Sequence, residues 1–157
     1  MQGSALSGKG IGRYGSSQLS DVTFAANGKI LPITQTNLLV GGTLHATKML
    51  DIYVFGGEEH QDRTTTSEVG TTIYGYGSDL ASNAGCLTEG GTCGAQTKLV
   101  EQLTGGFWQK IYQGPFGRAQ VGVQYSYTQR DAFSGLGGIA PKANDSMLFT
   151  SFRYYPF

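Results

Sequence analysis

One stretch of this chain restricts the fold more than any other. Residues 117–131, GRAQVGVQYSYTQRD, alternate with a period of two. Ala119, Val121, Val123, Tyr125 and Tyr127 fall on one side. Gln120, Gly122, Gln124, Ser126, Thr128 and Arg130 fall on the other. Successive side chains of a β-strand point to opposite faces, so this pattern predicts a strand with one apolar and one polar face. It runs well past the usual strand length of about 5–6 residues.

The preceding segment, residues 100–112 (VEQLTGGFWQKIY), repeats the design. Leu103, Gly105, Phe107 and Ile111 share one face; Gln102, Thr104, Gly106, Trp108 and Lys110 share the other. The linker QGPFG is short and carries the Gly and Pro of a tight turn, so residues 100–131 read as a hairpin. A second hairpin is expected from residues 38–61, turning in ATKML, with Leu38, Val40, Gly42, Leu44 and Ala46 on one face. The faces of its returning strand, residues 50–61, stay unassigned, because Ile52 and Val54 compete with Tyr53 and Phe55. A first strand is expected over residues 4–14 and a last over residues 146–157. That makes about six, and TTIYGYG within residues 64–98 is a candidate for another. Helical periodicity is nearly absent.

Composition sharpens the class. Only 14% of residues are charged, with 11 Lys+Arg against 11 Asp+Glu, while Gly numbers 25, Tyr 9 and Phe 8. A typical soluble domain carries about 25% charged residues. The balanced charge argues against nucleic acid as a partner. The connections near Lys48 and Gly114 are short, and those over residues 15–36, 64–98 and 134–145 are long. Long loops at one end and short turns at the other are the habit of outer-membrane barrels.

A strand crosses a bilayer in about 9–11 residues, and only helices and closed barrels satisfy their backbone there. The expected fold is therefore all-β: an antiparallel up-and-down transmembrane β-barrel, or the closing strands of a larger one. It has long surface loops and short periplasmic turns. Leu103, Phe107, Ile111, Ala119, Val121, Val123, Tyr125 and Tyr127 would face lipid. Gln102, Thr104, Trp108, Lys110, Arg118, Gln120, Gln124, Ser126 and Arg130 would line a pore. Trp108, Tyr112, Phe116, Tyr125, Tyr127, Tyr154 and Tyr155 sit near strand ends, as an interfacial girdle would. An antiparallel sheet with one wet face is the soluble alternative.

The last residues, MLFTSFRYYPF, resemble the C-terminal signal of bacterial outer-membrane barrels, a final strand ending on Phe with Tyr two residues earlier. The resemblance implies that Tyr155 and Phe157 are read by the barrel assembly machinery. Parity counted from Phe157 puts Arg153 and Ser151 on the lipid face and Leu148, Phe152 and Tyr154 on the other, whereas a bulge or early strand end near Tyr155 would reset it, so the facing of residues 146–157 stays unassigned. LDIYVFGGEEHQDR and GFWQKIYQGPFGRAQVGVQYSYTQRDAF extend the likeness to the closing strands of large porin-like proteins of Gram-negative bacteria. Single-chain barrels of this kind start at eight strands. Three readings account for six: a chain truncated at its N-terminus, several copies sharing one barrel, or a missed hairpin in residues 64–98. The opening MQGSALSGKGIGRYG has no apolar signal-peptide core, which suits truncation.

Cys86 and Cys93, the only cysteines, are expected to close a small disulfide ring in the long loop of residues 64–98. Such a bond needs an oxidising compartment. The loop would be stiffened and fold over or into the pore. Glu58 and Glu59 fall on opposite faces and cannot share a site. His45 is expected opposite its strand's apolar face. Lys110, Arg118, Arg130 and Arg153, with Glu101 and Asp51, could face a lumen and set ion preference. No catalytic order, metal spacing or phosphate cradle is present, so no enzyme, metal or cofactor is expected. The expected function is a passive porin-like channel for small solutes in the bacterial outer membrane. Lipid is its partner, with further copies or missing strands completing the wall. The alternatives are a non-transporting surface structural or adhesive barrel and a soluble β-sandwich binding module.

Overall fold

The computed structural model describes residues 1–156. Ten strands form: β1 (Gln2–Lys9), β2 (Val22–Phe24), β3 (Ile30–Pro32), β4 (Thr34–His45), β5 (Leu50–Gln61), β6 (Ser67–Val69), β7 (Thr72–Tyr74), β8 (Thr97–Gly114), β9 (Gly117–Ala132) and β10 (Lys142–Tyr155). Six of them make one antiparallel sheet in the order β1-β4-β5-β8-β9-β10, and β2-β3 and β6-β7 are separate hairpins. The expected all-β, antiparallel, up-and-down sheet is present. Among the described residues β1 and β10 remain unpaired edges, so the sheet is open.

The sheet's direct neighbours in order are also neighbours in sequence once the small hairpins are set aside, which is an up-and-down meander. Short turns join β4 to β5 and β8 to β9; the β1–β4, β5–β8 and β9–β10 connections are long and gather at the opposite end. TTIYGYG does contain a strand, but β7 pairs only with β6 and stays out of the main sheet. The first strand is shorter than expected. It ends at Lys9, because Gly10 turns to positive φ (71°) and Gly12–Tyr14 form a 3-10 turn.

The register assigns every face. Phe107 lies opposite Ile52 and Val123, Leu103 opposite Tyr127, and Gly105 between Val54 and Tyr125. Leu148 lies opposite Tyr125, Phe152 opposite Val121, and Tyr154 opposite Ala119. One apolar face therefore runs across the whole sheet. Ile52 and Val54 belong to it, and Tyr53 and Phe55 to the other. For β10, whose facing the sequence leaves open, the register decides: Leu148, Phe152 and Tyr154 are on the apolar face, Ser151 and Arg153 on the polar one. β10 ends at Tyr155, before Pro156, which has no N–H for a ladder. Phe157 lies outside the described residues. A bulge between Lys110 and Tyr112 leaves Ile111 without a partner on β9, exposed, and puts Tyr112 opposite Ala119.

Burial is inverted relative to a water-soluble sheet along the middle strands β5, β8 and β9, while β10 is exposed on both faces. Leu148 is 70% exposed, Phe152 65%, Val40 63%, Leu103 58% and Val54 52%, whereas Ser126 on the opposite face is 2% exposed and Gln120 6%. Ala119 is the apolar-face exception at 9%, being small and flanked by Tyr112 and Tyr154. The buried apolar cluster among the described residues, Ile33, Tyr76 and Phe133, lies where the long connections meet the ends of β5 and β8.

Candidate functional site: the polar face and its strap

The polar face is built by cross-strand fitting of large side chains over glycines. Tyr53 on β5 reaches across β8 and donates its hydroxyl to Gln124 Oε1 on β9 at 2.9 Å. It can do so because the strand between carries Gly106 there; a Cβ at that site would lie 2.6 Å from the Tyr53 oxygen. Trp108 spreads over Gly122 in the same way. Thr104 and Ser126 hydroxyls meet at 3.0 Å, Gln124 Nε2 donates to Ser126 Oγ at 3.2 Å, and Gln102 Nε2 donates to Thr128 Oγ1 at 2.8 Å. These bonds satisfy polar groups that the neighbouring aromatics desolvate.

Thr43 of β4 and Arg153 of β10 line one cavity of about 530 Å³ together with Asp51, Tyr53, Trp108 and Phe149. β4 and β10 are four strand steps apart, roughly 19 Å along a flat sheet at about 4.8 Å per step. Sharing one cavity therefore requires the sheet to bend round its polar face.

All nine expected pore-lining residues, Gln102, Thr104, Trp108, Lys110, Arg118, Gln120, Gln124, Ser126 and Arg130, occupy this one face. His45 and Asp51 join them, with His45 Nδ1 2.6 Å from Asp51 Oδ1 and Lys110 Nζ 3.4 Å from Asp51 Oδ2. Glu101 does not. It lies opposite Glu58 and Gln129 on the apolar side, where these three polar residues end the apolar band toward the loops. Trp108 and Tyr155 are also removed from the outer girdle. They sit on the polar face, Trp108 beneath Arg153 with the guanidinium carbon 3.8 Å from the ring centroid, and Tyr155 beneath Arg118 at 4.7 Å. Tyr112, Tyr125, Tyr127 and Tyr154 remain on the apolar side, and Tyr154 donates to the Phe116 carbonyl in the adjacent turn.

The segment over the polar face is not the disulfide loop. Cys86 and Cys93 are bonded as expected, but their ring packs beside Ala95, Arg130, Pro141 and Lys142, at the loop ends of β9 and β10. The connection from β1 to β2 covers the face instead. Its Ser17 N–H donates to Glu59 Oε1 and Oε2 at 3.1 and 3.3 Å, and Ser16 and Ser17 close a cavity of about 220 Å³ against Gln102, Thr104 and Thr128. Farther on, the Ser20 carbonyl accepts from Gln35 Nε2 (3.1 Å) and Gln61 Nε2 (2.8 Å), both side chains almost fully buried. This strap was not legible in the sequence. Its partner Glu59 is 42 residues away, and neither segment has a pattern that marks it.

Arg13 fastens the strap to itself. Its backbone N–H donates to Asp21 Oδ1 at 2.9 Å and its guanidinium to Oδ2. The backbone bond first, then the side-chain bond, hold the Asp21 carboxyl below its ordinary 3.8. A depressed carboxyl gives stabilisation that is complete above its unfolded pKa and is lost as pH falls through the lower folded value. The Arg13 amide should therefore stay protected from hydrogen exchange at neutral pH and lose protection only below about the ordinary carboxyl value. Asp21→Asn should abolish that pH dependence.

The fold and this face define a class: an all-β chain whose antiparallel meander keeps its polar side chains inside a bend and its apolar side chains outside. No family model matches the chain, and no curated protein or solved structure matches it.

Proposed function

We propose that the chain contributes the wall of an outer-membrane β-barrel that conducts small solutes passively, with the polar face lining the lumen and the strap narrowing it. The single observation behind this reading is the inverted burial of the sheet. Burying a Val, Leu or Phe side chain stabilises by about 1.5–3 kcal/mol. A sheet in water that leaves a row of them uncovered forgoes that gain repeatedly, while one in hydrocarbon does not. Among the described residues no second layer covers the apolar face, which speaks against the sandwich alternative. The apolar run from Ala119 to Tyr127 has the length of about 9–11 residues that a tilted strand needs to cross. Lipid and the assembly machinery are the partners this reading requires. Its open edges require further strands, from the same polypeptide or from other copies, because an unpaired edge is prohibitive in lipid.

The test is reconstitution. The complete barrel should need detergent, should migrate differently on gels before and after boiling, and should give stepwise conductance in a planar bilayer. A monodisperse monomer in plain buffer would end the membrane reading. A detergent-requiring, heat-modifiable barrel with no conductance would favour the surface structural or adhesive alternative.

A further inference from the structure

The charges of the polar face are not evenly spread. Among the described residues, toward the short turns it carries Lys110, Arg118 and Arg153 against one carboxylate, Asp51. Asp51 is already engaged by Lys110 and by His45. Arg118 and Arg153 have no carboxylate within 4.0 Å among the described residues; each guanidinium carbon sits over an aromatic ring instead, Tyr155 and Trp108. The count of Lys, Arg, Asp and Glu among the described residues here is three cations less one anion, an excess of two positive charges. Toward the loops the balance reverses, with Glu59 and Asp145 against Arg130.

Two features make this excess count. Arg153 lines the cavity of about 530 Å³ that Trp108, Tyr53 and Phe149 wall, so its charge looks into a confined space with low-dielectric sides. Fields are focused in such clefts and raise the local concentration of the opposite sign. Stacking on a ring also holds a guanidinium in place without neutralising it, which a carboxylate partner would do.

From this we infer that the turn-end half of the polar face is an anion-selecting constriction, with Arg118 and Arg153 as the selecting residues and small carboxylate- or phosphate-bearing solutes as the favoured cargo. The inference rests on the channel reading above and adds the sign of what passes. Asp51 tempers the site by holding Lys110.

The experiment is the reversal potential of the reconstituted barrel in a potassium chloride gradient. Chloride should permeate better than potassium. Arg118→Gln with Arg153→Gln should bring the two toward equal permeability with conductance retained. Arg118→Lys with Arg153→Lys should keep the preference, because charge and not stacking is what selects. Asp51→Asn, which frees Lys110, should strengthen it, and this variant decides the matter if the glutamine pair fails to assemble. A conducting barrel that prefers potassium, or whose preference none of these substitutions moves, overturns the inference and leaves the channel standing. A barrel that assembles but never conducts overturns both.

Discussion

Val54→Arg should abolish assembly into membranes. Val54 lies in the middle row of the apolar face, opposite Gly42 on β4 and Gly105 on β8, and is half exposed. On the lipid side of a barrel an arginine near the bilayer midplane costs about 2–4 kcal/mol, falling to about 0–1 near the interfaces. The corresponding change at Leu44, near the β4–β5 turn, should therefore be tolerated far better. Folding into lipid vesicles, followed by heat-modifiable gel mobility, measures both. The outcome is discriminating because water reverses the sign. If the apolar face were an exposed surface in buffer, a new arginine there would improve solubility and leave folding intact. Equal tolerance of Val54→Arg and Leu44→Arg would remove the bilayer from the account.

Tyr76→Ala should unfasten the loop end while leaving the sheet intact. Tyr76 is 6% exposed, meets the Phe133 ring edge-on at 5.8 Å, and packs with Ile33. Its hydroxyl lies 2.6 Å from Gln61 Oε1 and 2.9 Å from the Thr97 carbonyl, and burial raises its pKa. Gln61 in turn holds Ser20 of the strap. Truncating a buried aromatic of this size costs about 3–5 kcal/mol. Here the loss also leaves Gln61 Oε1 without its donor. Protease should then cut within the long connections at concentrations the wild-type chain resists, and the cut fragments should still run as a heat-modifiable barrel. Tyr76→Phe keeps the ring but leaves the buried Gln61 Oε1 without its donor, so it should show a smaller effect of about 1–3 kcal/mol. Identical protease profiles for wild type and Tyr76→Ala would show that the loops are not held through this residue.

The hairpin of β8 and β9 was legible because each of its faces is nearly pure in character, so period two speaks without help from elsewhere. β5 was not, and the reason is long-range. Tyr53 and Phe55 are as apolar as Ile52 and Val54 by type, but they stand on the polar face because Gly106 and Gly41 leave room for their rings. Nothing near residue 53 announces a glycine on another strand. β10 stayed open for a similar cause. Its terminal motif and its own alternation point to opposite faces, and the facing is decided by partners on other strands: Leu148 and Phe152 lie opposite Tyr125 and Val121, and the Arg153 guanidinium sits over Trp108. The nine lumen candidates fall on one face, and all but Arg118 lie inside the clean alternation. Glu101 was misplaced, because its charge was read without its parity. The strap and the buried loop cluster depend on contacts between segments far apart in sequence that carry no period at all.

The two open edges run in opposite directions, β1 one way and β10 the other, as the ends of any six-membered antiparallel row must. A cylinder closed from this row with antiparallel neighbours throughout can be completed only by an even number of added strands. A second copy of the chain satisfies that arithmetic, joining edge to opposite edge by simple rotation about the cylinder axis. Every long connection then emerges on the same side of the ring, so one rim is ragged and the other nearly smooth.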